Sequence, residues 1–153
     1  MDLKQTFLQA KILHGAMFFG VLLFAGLSFV LNNFVNAGIG LVVLPSNALY
    51  LIVLAAVAML WLSGFIYKKR ISVIEGNLPL QERVANFRSA SILRVALIEA
   101  ASLTLITGYL LSGNIYYLLL AFIPLYFFMK TFPRDEEISE TLELSYSEMR
   151  QLH

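Results

Sequence analysis

The sequence predicts an all-α integral membrane protein: a bundle of four transmembrane helices with short cytoplasmic amphipathic helices. Three observations carry that reading. Hydrophobic residues make up 59% of the 153 residues and charged residues 14%, against roughly 45–50% and about 25% in soluble domains. A soluble domain of this length has too little interior to hide that much apolar surface from water. Four apolar stretches approach the ~20 residues that a membrane helix needs. All eleven Lys and Arg residues fall on one side of those stretches. Soluble globular, disordered, collagenous and disulfide-rich classes are excluded on composition. With no cysteine, thiolate metal sites and cysteine nucleophiles are excluded too. A net charge of +1 gives no footing for nucleic acid.

The first stretch runs from about Ile12 to Leu31, with His14 as its only ionisable group. Its apolar run exceeds the roughly 7–15 residues of a signal-peptide core, and no small-x-small cleavage site follows, so it reads as a retained helix. The second, about Ala48 to Tyr67, carries no charge. The third, about Ile92 to Leu111, carries Arg94 and Glu99. The fourth, about Ile115 to Phe132, is the shortest, and Lys130 can snorkel from its end. Only Ser112-Gly113-Asn114 separates the last two, which forces an antiparallel hairpin. Residues 1–132 thus read as a transmembrane unit and 133–153 as an acidic cytoplasmic tail.

Sidedness follows from the basic residues. Lys4 and Lys11, the cluster Lys68 to Arg94, and Lys130, Arg134 and Arg150 share one side, while Asn32–Asn47 and Ser112–Asn114 hold none. Both termini and the 68–91 loop are therefore expected in the cytoplasm, in a multi-pass protein of the cell (plasma or inner) membrane. Tyr50, Tyr109, Tyr116 and Tyr117 fall near the outer interface, Trp61 and Tyr67 near the inner one.

Outside the spans, Asn32–Asn47 is uncharged and partly apolar, as expected of a loop lying on lipid headgroups. In the inner loop, Asn77-Leu78-Pro79 looks like a helix start. Leu80, Val84, Phe87 and Ser91 then repeat at helical spacing. No breaker separates this segment from the third span, so one continuous helix from about Pro79 to Leu111 stands beside an interfacial helix bent near Ser89–Ser91 as the alternative. In the tail, six acids against two bases leave −4. Ile138, Leu142, Tyr146 and Met149 share a helical face there, and Ser145 with Glu148 makes a capping box. The loop from Lys68 to Ser91 has five bases against two acids, +3, so the tail is expected to fold back on it. A faint repeat aligns Ile12-Leu13-His14-Gly15-Ala16 with Ile92-Leu93-Arg94-Val95-Ala96; its identities are generic membrane residues.

The candidate intramembrane polar site is Glu99, Ser102 and His14. Glu99 lies about two turns inside its span, where a carboxyl is expensive and belongs toward the bundle interior, neutral or hydrogen-bonded. Ser102, three residues on, shares its face, and His14 lies at a similar inner depth. Arg94, five residues away, points elsewhere. A proton or cation site and a polar clasp between helices are both consistent with this set. Lys68, Lys69, Arg70, Arg83, Arg88 and Arg94 form a candidate rim for anionic lipid headgroups. Ala16 with Gly20, and Ala96 with Ala100 and Thr104, have the small-xxx-small spacing of close helix contacts. Pro124 is expected to kink the fourth span.

No phosphate-binding glycine loop, paired-histidine metal motif or Ser/His/Asp set occurs, so no catalytic, metal or cofactor residue is assigned. A haem held by two membrane histidines would need a dimer, because His153 lies in the tail. Glu99-Ala100-Ala101-Ser102 resembles the membrane glutamate segment of rotary-ATPase proteolipids over those few residues. The dense glycine repeats of that family are missing, with nine glycines in the whole chain, and no family is assigned. The expected function is a non-enzymatic accessory, assembly or interaction component of a membrane complex, bound to the bilayer, to anionic headgroups and to another membrane protein or a copy of itself. The alternative is a small proton- or ion-coupled transporter or channel subunit using Glu99.

Overall fold

The computed structural model describes residues 3–34, 45, 47–74 and 78–132, with side chains described from Leu8 onward. Four helices account for nearly all of them: α1 Leu3–Asn33, α2 Ala48–Ile71, α3 Leu80–Ser112 and α4 Ile115–Lys130. The tail, its expected contact with the inner loop, and most of the outer segment lie outside the described residues.

Three helices are long and apolar enough to cross a membrane, over Leu8–Asn33, Ala48–Ile71 and Leu80–Ser112. The fourth is shorter. Its 16 residues make ~24 Å at 1.5 Å each, against a hydrocarbon core of about 30 Å. The segment expected to form an amphipathic element ahead of the third span is not a separate helix. It is the first three turns of α3, which runs 33 residues without interruption. Nothing between Leu80 and Ser112 breaks a helix: no proline occurs, and Gly108 is the single glycine.

The α3–α4 turn is built by its own side chains. Gly113 ends α3 in the left-handed region, φ 67°, and its amide donates to the Tyr109 carbonyl at 2.8 Å. The Ser112 hydroxyl donates back to the Gly108 carbonyl at 2.6 Å. Asn114 caps α4 by accepting the Tyr116 amide at 3.1 Å. At the other end of α4, Pro124 is buried and removes the amide that would reach the Leu120 carbonyl, yet α4 passes through it as one helix.

The helices run up, down, up, down around α3. Gln9 pairs with Arg88 and Asn33 with Tyr109, so α1 lies parallel to α3. Arg70 reaches Ser89 while Thr104 meets Met59, so α2 is antiparallel to it. All four helices enter the main core, through Val21 of α1, Ala56 of α2, Ala101, Leu105, Ile106 and Tyr109 of α3, and Tyr117, Ala121 and Leu125 of α4. A smaller cluster joins Val95, Ile98 and Phe128, and a third packs Val84 and Phe87 under Tyr67 and Ile71. These helix directions gather the described cations at one end of the bundle and leave Asn32, Asn33, Asn47 and the Ser112–Asn114 turn at the other.

Candidate functional site

The structure does not join the three residues of the candidate polar site to one another. His14 is buried and lies 3.0 Å from the Phe128 carbonyl oxygen through Nε2. A carbonyl only accepts, so that nitrogen carries the proton. Phe128 is within the last turn of α4, whose carbonyls have no amide ahead of them in the helix. The Thr131 hydroxyl donates to the same oxygen at 3.0 Å. His14 thus ties α1 to the C-terminus of α4. Its ring is boxed edge-on by Phe128 and Phe132, with centroids 4.7 and 5.1 Å away.

Ser102 is fully buried and spends its hydroxyl on its own helix, donating to the Ile98 carbonyl at 3.1 Å. Glu99 is partly buried. It lies beside the buried stripe of Val95, Ile98, Ser102 and Ile106 rather than within it. Among the described residues its carboxyl makes no hydrogen bond or ion pair. Arg94 packs its guanidinium over the Tyr67 ring, 4.5 Å from the centroid, directed at α2.

The six rim cations separate into two groups. Arg94 is held on Tyr67, Arg88 reaches Gln9 at 3.4 Å, and Arg83 is buried in the first turn of α3. Lys68, Lys69 and Arg70 are exposed in the last turn of α2, where cations suit the negative end of the helix dipole. Lys69 and Arg70 line a groove of about 420 Å³ between α2 and α3, with Asn86 and Ser89 on its far wall.

The small residues also separate. A Cβ on Gly108 would come within 2.9 Å of Tyr117 Cδ1, so this glycine is what lets α3 and α4 close on each other. Thr104 donates to the Ala100 carbonyl at 2.7 Å and lies 4.0 Å from the Met59 sulfur, so that small stripe faces α2. Gly15, Gly20 and Gly26 of α1 have open space where a side chain would sit, and Ala16 and Gly20 are exposed.

Sequence reasoning missed the clamp at the end of the bundle that carries the α3–α4 turn. Asn32 donates to the Tyr109 carbonyl at 3.0 Å and Asn33 to the Tyr109 hydroxyl at 2.9 Å. Two adjacent asparagines ending an apolar run were the available signal. Their partner, 76 and 77 residues away, was not readable. Asn86 and Ser89 of the groove were missed as well, because each is an ordinary polar residue until the fold sets it opposite Lys69 and Arg70. Among the described residues no group of three or more His, Asp or Glu side chains is placed to hold a metal ion. Comparison with protein-family models, with curated proteins and with solved structures gave no match.

Proposed function

We propose that this chain is a non-enzymatic multi-pass protein of the cell (plasma or inner) membrane, with both termini cytoplasmic, and that it acts as an accessory or assembly component binding another membrane protein or a second copy of itself. In this reading α4 spans as well, returning across a locally thinned bilayer with Lys130 reaching the inner headgroups. The first turns of α3 project into the cytoplasm.

One observation carries the assembly reading: the glycines of α1 are unspent. A glycine inside a helix costs about 1 kcal/mol relative to alanine. Gly108 returns that cost as close packing against Tyr117, whereas Gly15, Gly20 and Gly26 meet no neighbour among the described residues. Ala16 and Gly20 turn outward together, with Phe19 and Leu23 also exposed on α1. That is the surface a second helix approaches closely in a membrane. Photo-crosslinkers at Phe19 and Leu23 in native membranes are expected to give discrete protein adducts that Gly20→Leu abolishes, with the chain still inserted. Adducts to lipid alone sink the proposal. Sidedness is tested by reporter fusions after His153 and within residues 35–44, which must report opposite compartments.

A second reading rests on Glu99. His14 and Ser102 are committed elsewhere, so this carboxyl stands in an apolar span with no partner in the described chain. Such a group is what a proton or cation carrier needs. In proteoliposomes under an imposed gradient, flux that Glu99→Gln abolishes would establish transport. Flux indistinguishable between the two proteins, or none in either, removes it.

A further inference from the structure

The groove at the inner end has a chemistry more specific than a charged rim. We propose that it binds the phosphate of an anionic phospholipid, with the start of the lipid's acyl chains resting on the groove's apolar wall. The inference rests on the membrane orientation proposed above and adds a defined ligand site to it.

The groove forms where α2 passes from its apolar stretch into Lys68-Lys69-Arg70. Ile66 and the exposed Val73 supply apolar lining, and Lys69 and Arg70 supply charge. Asn86 and Ser89 face them from α3, and among the described residues no carboxylate lines the groove. The helix dipole accounts for cations at the end of α2. It does not account for a hydroxyl and an amide set opposite them on another helix.

Ser89 is part of the construction. Arg70 Nη1 donates to its hydroxyl at 3.2 Å, which fixes the guanidinium across the groove. One of five N–H donors is used there, leaving enough for a two-pronged contact with phosphate oxygens. The Ser89 hydroxyl, accepting from Arg70, keeps its own hydrogen to donate. Lys69 adds a compact charge and Asn86 a neutral amide donor. Arg88 and Arg94, held by Gln9 and Tyr67, serve the fold and not this groove. Half a lipid is the shape match: a phosphate against the cations, an apolar stem along Ile66.

The full chain, in mild detergent, is titrated with phosphatidylglycerol, with phosphatidylcholine and with inorganic phosphate, and bound lipid is read by native mass spectrometry. Saturable binding of one phosphatidylglycerol is expected, at least about tenfold tighter than phosphatidylcholine, whose quaternary ammonium offsets the same phosphate charge and is repelled by Lys69 and Arg70. Lys69→Gln with Arg70→Gln should erase that preference. Ser89→Ala, which leaves both charges and disturbs no packing, should weaken it severalfold. Lys130→Gln, at the same end but outside the groove, should leave it within about twofold, the scatter of an exposed charge. Equal loss with Lys130→Gln reduces the effect to bulk charge and overturns the site. So does unchanged binding in the Lys69/Arg70 double variant. Inorganic phosphate binding as tightly as the lipid overturns the lipid assignment. A reporter after His153 that lies on the non-cytoplasmic side fails the orientation reading instead, which separates that failure from a failure of the site.

Discussion

α2 and α3 invert the rule learned from soluble proteins. Of the long helices α2 is the most apolar and α3 the least. Yet α3 buries twelve of its residues, among them Arg83 and Ser102, while α2 buries only Ala56 and Ser63. In water the apolar helix goes to the centre because the solvent expels it. In the membrane setting proposed for this chain, lipid tails are as apolar as leucine, so nothing would expel α2 from the periphery. The central place goes to the helix whose small and polar groups need neighbours. Leu51, Leu54, Val57, Trp61 and Phe65 accordingly stand outward along α2, with Trp61 and Phe65 stacked at 5.3 Å.

That contrast is broken most easily by volume. Ala101 is fully buried where all four helices meet, and Ala58 is exposed on α2. Ala101→Leu should cost about 1–3 kcal/mol or more by overpacking, and Ala58→Leu close to nothing, in a denaturing detergent titration. Equal costs would mean that α3 is not the hub. Gly108→Ala comes next, at about 1–2 kcal/mol, because its new Cβ meets Tyr117 at 2.9 Å. Gly20→Ala, facing open space, should instead stabilise the isolated chain by up to about 1 kcal/mol, and a loss there would place a neighbour against α1. Replacing His14 by Phe keeps the aromatic box but removes the Nε2–H donated to Phe128. A cost of about 0.5–1.5 kcal/mol is expected, at the low end if the Thr131 hydroxyl holds that carbonyl alone, and the same titration reads it. The smallest change is Ser28→Ala. Ser28 is fully buried with its hydroxyl unpartnered, so its removal should be neutral or stabilising by under ~1 kcal/mol. A clear loss would reveal a partner for that hydroxyl.

Much of the frame was legible in the sequence, because apolar run length is a one-dimensional property. Ala48 was read as the start of the second helix and is its start, and Ser112-Gly113-Asn114 was read as a tight turn and is one. The helical spacing of Leu80, Val84 and Phe87 left a continuous third helix and a bent one both open, and the structure has the continuous one, three turns beyond the apolar run. What a linear pattern does not contain is which helix neighbours which. The same small-xxx-small signature occurs on α1 and α3, yet among the described residues only the α3 copy is spent on a neighbouring helix. His14 and Glu99 were read at similar depth, which made them candidate partners, but the pairing of Gln9 with Arg88 leaves Glu99 further along the bundle, and the group that met His14 was a backbone carbonyl at a helix end. No side-chain pattern announces such an acceptor.

The unbroken length of α3 has a mechanical consequence. Thirty-three residues form a rod of ~50 Å, clamped at one end by the hairpin and by Asn32 and Asn33 on Tyr109. A swing of about 5° around that clamp moves the far end by roughly 4 Å, with no bend needed anywhere between. That far end is braced against α2, by Arg70 on Ser89 and by Val84 and Phe87 packed on Tyr67 and Ile71. A tilt of α3 must therefore carry α2 with it: held at both tips, the long rod acts as a strut and not as a lever.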